Sequence, residues 1–212
     1  MCSFLLRDLF DNCDAFRALV GERNAVYQTN YTVGRDTPSR WTIDLVVGPG
    51  KDRLVSASMT PRDEPIHVWA AIDAKAIMTE HGKARRNRQR DLNSMAEIMH
   101  RRTPRPITAA FVVINASPTF RSPLRTDTTQ HRNISRIVEE TILLFAEILK
   151  DESSRRPGLD AIGVVVLDYT NQPGSVCKIL ADSPAPDSSS PLFYDNFLAT
   201  LCAEFRALPS RL

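Results

Sequence analysis

Lysine is scarce in this 212-residue chain: only Lys51, Lys75, Lys83, Lys150 and Lys178 are present among 27 positive side chains, and the rest are arginine. Arginine prefers planar, bidentate partners such as phosphate oxygens and guanine edges, so the bias suits nucleic-acid contacts. A GC-rich genome writes the same bias, and composition alone leaves both accounts open. Cysteine is also sparse. The four residues Cys2, Cys13, Cys177 and Cys202 form no CxxC pair and do not cluster with histidine. That spacing argues against a zinc site or a disulfide framework and predicts reduced thiols in the core. No apolar run is long enough to span a membrane, and no charged-then-apolar leader opens the chain, so a soluble, cytoplasmic protein is expected. On that expectation the sequons at Asn30 and Asn133 carry no weight. With 42% hydrophobic and 25% charged residues the composition is ordinary and globular, and the length fits one α/β domain.

Periodicity divides the chain into alternating elements. Leu5, Leu6, Leu9, Cys13, Phe16 and Val20 recur at helical spacing, which predicts an amphipathic helix over 4–20 that Gly21 ends. Strands are expected over 25–33 and 40–47, with turn chemistry from Gly34 to Pro38 between them, and over 66–76. A long helix begins near Gly82 and stops before Pro104 and Pro106. The continuous apolar runs 107–115 and 161–169 read as strands covered on both faces. Between them Ile134, Ile137, Val138, Thr141, Leu144, Phe145 and Ile148 stripe a helix over 132–150. The Pro- and Ser-rich stretch 182–191 is a loop, and a helix over 193–208 closes the chain. The expected fold class is therefore α/β. Hairpin-linked strands followed by strand–helix–strand crossovers give a central mixed β-sheet flanked by helices.

The chemistry-bearing residues gather around the third strand. Asp73-Ala74-Lys75 is weak alone, since an acid two places before a lysine is expected about once by chance in a chain this long. Its context adds weight. Alternation places Asp73 and Lys75 side by side on one face of the strand. On the preceding strand, Arg40, Thr42 and Asp44 alternate with Trp41, Ile43, Leu45 and Val47. An acid inside such an apolar strand is costly unless paired or metal-bound. Antiparallel pairing of the two strands would bring Asp44 beside Asp73. In the helix that follows, Lys83, Asn87 and Arg90 form one stripe with Arg86 beside it, roughly opposite an apolar stripe of Leu92, Met95, Ala96 and Met99. Arg88 falls toward the apolar side. Two carboxylates can hold Mg²⁺ while leaving positions for water and phosphate, a nearby lysine can orient the attacking water, and a basic helix face can grip the backbone.

These residues resemble the PD-(D/E)xK nuclease superfamily, and within it the type II restriction endonucleases. The similarity covers about 4–115, as helix, three strands, helix and strand. Asp44 matches the acid of the PD motif, with Ile43 where the family often has proline, and Asp73-Ala74-Lys75 matches (D/E)xK. The resemblance implies a restriction-endonuclease-like αβββαβ core with a C-terminal strand–helix extension over 116–212. It also implies Mg²⁺-dependent hydrolysis of double-stranded DNA leaving 5′-phosphates, in a prokaryotic cytoplasm. It further implies a supporting polar residue on the helix after the third strand (Lys83, Asn87 or Arg90) and an acid on the first helix, for which Asp8, Asp11, Asp14 and Glu22 are candidates. A homodimer is expected, because a symmetric duplex site is met most simply by a two-fold pair.

Other residues are weighed more lightly. Glu80 and His81 are candidates for an extra ligand or base, although a histidine in a loop is more often a surface residue. His131 and Arg132 open a helix and could meet phosphate there, with an ordinary capped helix preferred. Base reading is expected from loops within 119–132 or 171–191, with Arg121, Arg125 and Gln130 named. Two alternatives stay open: a repair or mobile-element nuclease on the same core, and a non-catalytic nucleic-acid-binding module.

Overall fold

The computed structural model describes residues 1–34, 40–51, 59–79, 81–123, 127–150 and 157–210. Its apolar side chains sort into two sets, one for each face of a six-stranded sheet. The elements run α1 (Cys2–Asn12), α2 (Asp14–Arg23), β1 (Ala25–Val33), β2 (Trp41–Pro49), β3 (Ala70–Ile77), α3 (His81–Arg102), β4 (Ile107–Asn115), β5 (Thr119–Arg121), β6 (Thr128–Gln130), α4 (Ile134–Ala146), β7 (Ala161–Asp168), β8 (Lys178–Ile179) and α5 (Tyr194–Ala207). The large sheet has the order β1-β2-β3-β4-β7-β8, while β5 and β6 form a separate hairpin. β3, β4 and β7 are parallel; β1–β2, β2–β3 and β7–β8 are antiparallel. The fold is thus α/β around a mixed sheet flanked by helices, as the order of elements predicts. Among the described residues no helix is long and apolar enough to cross a membrane.

One face of the sheet is covered by α3 and α4. Leu92, Met95, Ala96 and Met99 of α3, with Val138 and Phe145 of α4, pack on Ala71, Ala110, Val112, Ile162 and Val164. The other face takes α1, α2 and α5, whose Leu9, Phe16, Phe197 and Phe205 meet Leu45, Ile72, Ala109 and Ala161. Near-continuous apolar runs in β4 and β7 follow from burial on both sides. Gly163 lets α5 approach closely, since a Cβ there would stand 2.7 Å from the Phe197 ring.

Three expectations are corrected. The single opening helix is two, broken at Cys13, which is extended (φ −125°, ψ 103°). Its sulfur accepts the Phe16 N–H and so caps α2. The apolar stripe runs through the break, so a helical wheel cannot register it. Not all thiols are reduced core residues either. A disulfide joins Cys13 to Cys202, 189 residues away, where α5 packs over the α1–α2 junction. Free Cys177 is exposed and Cys2 is half-buried. Finally, the extended run from residue 66 enters the sheet only at Ala70. The backbone N–H groups of Ile66 and Trp69 still bond to Pro49 and Val47.

Candidate active site

Asp44 sits where two strands part. β2 and β3 pair as Val47–Ala70, Val46–Ala71 and Leu45–Ile72, and the ladder stops there. One more step of the same register sets Asp44 opposite Asp73. In place of a further backbone bond, the Ala74 N–H donates to Asp44 Oδ2 at 2.8 Å. The carboxylate thus occupies the gap that the diverging strands open. Across the other edge of β2, Asn30 stands opposite Asp44 between the Thr29–Leu45 and Tyr31–Ile43 pairs, with a left-handed φ of 53°. The irregularity turns the strand. Ile43 and Val46 join the core under α3 and α4, whereas Leu45 and Val47 join the core under α1, α2 and α5. The alternation expected to keep Ile43, Leu45 and Val47 on one side therefore breaks at the acid itself.

Asp73 is 1% exposed, and its Oδ2 lies 2.6 Å from Lys75 Nζ. Lys75, whose side chain is 15% exposed, also reaches Asp44 Oδ2 at 3.9 Å. Among the described residues Asp73 Oδ1 is buried without a hydrogen-bond partner, while Oδ2 takes the ammonium of Lys75. Burial pushes the Asp73 carboxyl up to about 6, the adjacent Asp44 adds to the rise, and Lys75 opposes both. A buried carboxylate crowded by a second one, with only one ammonium between them, is short of positive charge.

Beside Asp44 opens a cavity of about 480 Å³, lined among others by Cys2, Thr29, Asn30, Arg62 and Ala74. Arg62, exposed, donates to Thr29 Oγ1 at 3.3 Å. Sequence reasoning missed this cation, because it lies in a stretch without periodicity and is brought to the site by a bridge to Tyr27. It missed Cys2 as well, whose thiol is pushed up by burial and by Asp44.

The acids proposed for the first helix do not complete the cluster. Asp8 accepts the Tyr194 hydroxyl at 2.6 Å, Asp11 faces Arg7 at 3.8 Å, and Asp14 pairs with Arg17. Glu22 is exposed beside the Ala25 end of β1, five residues or about 17 Å along the strand from Asn30. His81 is corrected from a surface loop to a buried residue opening α3. It bonds to Asn115, five residues or about 17 Å along β4 from Ala110, the partner of Asp73. Glu80 and Arg125 lie outside the described residues.

Helix α3 presents the expected face. Lys83, Arg86, Asn87 and Arg90 are exposed, while Leu92, Met95, Ala96 and Met99 are buried. The intervening side chains are engaged elsewhere. Arg85 pairs with Glu140 at 2.9 Å, Gln89 bonds to the Leu144 carbonyl, and Arg88 pairs with Asp91 at 3.1 Å. Arg121 and Gln130 are exposed on the β5–β6 hairpin.

Two carboxylates facing one another across the step from β2 to β3, one of them buried with Oδ2 on Lys75, form a hard oxygen donor set. Among the described residues no group of three or more His, Cys, Asp and Glu gathers at metal-binding spacing. A pair of acids fits Mg²⁺, which commonly binds through one or two carboxylates plus water and phosphate, better than it fits zinc. No family model, curated protein or solved structure matches the chain, so the reading of the site stands on its own geometry.

Proposed function

We propose that this chain is a Mg²⁺-dependent endonuclease that hydrolyses phosphodiester bonds of double-stranded DNA, as a type II restriction enzyme of the PD-(D/E)xK kind. The observation that carries the reading is the trio of Asp44, Asp73 and Lys75 at the divergence of β2 and β3. Asp44 and Asp73 would hold Mg²⁺. Bound there, the ion supplies positive charge for the phosphate oxygens and acidifies the attacking water. Lys75, held by Asp73 and within reach of Asp44, orients that water and offers an N–H to the charge that develops on the phosphoryl oxygens. Arg62 and the exposed face of α3 hold flanking phosphates. A homodimer would present two such sites to the two strands of a symmetric duplex.

The direct test is plasmid DNA incubated with the protein, with and without Mg²⁺. Discrete fragments that appear only with Mg²⁺ are expected. A smear would point to a repair-type or mobile-element nuclease on this fold, and a gel shift without any cutting would overturn the enzymatic reading.

The α3 face is expected to act through phosphates. Alanine at Lys83, Arg86 or Arg90 should weaken binding to cognate and unrelated duplexes alike and reduce the salt slope by roughly one unit for each phosphate left without its cation. Arg88→Ala should leave the slope alone, because Arg88 is turned toward Asp91. Affinity measured against salt concentration for the four variants checks this. An unchanged slope in the first three would place the DNA path elsewhere.

A further inference from the structure

Away from the carboxylates, a cavity of about 470 Å³ opens among His81, Gly82, Lys83, Gln130, His131 and Arg132. It lies at the C-terminal ends of parallel strands, the end at which open α/β sheets bind ligands. Two helices begin beside it, α3 at His81 and α4 at Ile134, and neither has an acid in its first turn. The α4 N-cap residue, Asn133, makes no side-chain capping bond. The uncapped start of α4 leaves backbone N–H groups and the positive end of the helix dipole free for an anion. Among the described residues no carboxylate lines the cavity, while Lys83 and Arg132 stand exposed on it.

The second, independent observation is His81. It is 2% exposed, and its Nε2 lies 2.7 Å from the Asn115 carbonyl oxygen, a contact that only an N–H can make. The tautomer is thereby set, and Nδ1 is a bare lone pair, buried and, among the described residues, without a partner. His131 meets the ring edge-on with centroids 4.6 Å apart, and its own Nε2 is buried without a partner too. Burial depresses the His81 pKa; the bond to Asn115 opposes this, and His131 and Arg85 add to the depression.

We propose that this cavity binds a terminal phosphomonoester, the phosphate at the end of a nucleic-acid strand, in preference to an internal phosphodiester. A diester offers only acceptor oxygens and would set acceptor against acceptor at Nδ1. A monoester carries a dissociable proton: on oxygen it gives an O–H···N bond from a singly charged phosphate, and transferred to Nδ1 it gives an N–H···O bond from an imidazolium to a doubly charged one, with Lys83 and Arg132 facing the negative oxygens in either form. The inference rests on the nuclease reading only for the choice of a nucleic-acid end as the carrier of that phosphate.

The test uses the full-length Asp73→Asn protein in EDTA, so that cleavage plays no part, and labelled single strands with either a 5′-phosphate or a 5′-hydroxyl. The phosphorylated strand is expected to bind about tenfold more tightly, with inorganic phosphate competing for the difference. Arg132→Ala, an exposed change that should not disturb folding, is expected to bring the two strands to within about threefold. His81→Asn should do the same if it folds. Equal binding of the two strands overturns the proposal, as does a preference that Arg132→Ala leaves intact. So does tight Zn²⁺ binding at the imidazole pair without any phosphate preference. Failure here leaves plasmid cutting untouched, and failure of plasmid cutting leaves this preference measurable.

Discussion

Asparagine in place of Asp73 is expected to lower DNA cleavage by about a thousandfold or more, since it removes a ligand for the charge that offsets the transition state. The same change should make the metal-free protein more stable at pH 7.5, the reverse of what a structural residue would do. The Asp73 carboxyl is raised from 3.8 to about 6 in the folded chain, chiefly by burial. Between these values the folded protein holds a proton that the unfolded chain has released, so stability falls as pH rises through this window. Above about pH 6 the ionised group costs on the order of 2–3 kcal/mol relative to its neutral form. Asparagine, neutral and of the same shape, should recover most of that. The gain should vanish near pH 4, where Asp73 is itself protonated when folded. Denaturant midpoints at the two pH values check the sign, and a destabilised Asp73→Asn protein at pH 7.5 would contradict the crowded-carboxylate account. Saturating Mg²⁺ should stabilise the wild type and leave the variant nearly unmoved, because a ligand stabilises only a state that binds it.

The strands were the most legible part of the chain. β1 and β4 occupy the ranges that alternation and continuous apolar character predict, because each of their side chains reports one face of the sheet. The helical stripes of α3 and α4 were legible for the same reason. Elements of two or three residues, β5, β6 and β8, lie below the length at which alternation can be told from chance. The Cys13–Cys202 bridge has no local signature, since what joins the two thiols is the packing of α5 on α1 and α2. At the site, the juxtaposition of Asp44 and Asp73 followed from antiparallel pairing, but the side on which Ile43 lies did not. A strand that parts from its neighbour at a polar residue loses its period there, and no count of apolar positions contains that turn. His81 shows the opposite limit. A lone imidazole in a polar run reads as surface, yet the carbonyl at the end of β4 provides a buried partner that makes its burial tolerable.

Removing the ammonium of Lys75 is expected to lower cleavage by about 10²- to 10³-fold, in the range of a lost positioned donor or proton-handling group. Lys75→Arg should recover little. Its Nζ sits 2.6 Å from Asp73 Oδ2 and 3.9 Å from Asp44 Oδ2, in a setting where only 15% of the side chain is exposed. A planar guanidinium needs a broader slot and a paired set of acceptors. Lys75→Met, close in length and without charge, separates a role in chemistry from one in packing. It should fold, bind duplex in Ca²⁺ and fail to cut in Mg²⁺. It should also move the pH profile. Lys75 is the group that opposes the rise of the Asp73 pKa, so its loss drives that pKa further up. Any residual cleavage by the methionine variant should therefore appear only at higher pH than in the wild type. Binding of Mg²⁺ to the free protein should shift in the same direction, since the ion competes with a proton that is now held more tightly. A methionine variant with a near-normal rate would remove Lys75 from the chemistry. A slow variant with an unshifted acid limb would leave the lysine in the reaction but detach it from Asp73.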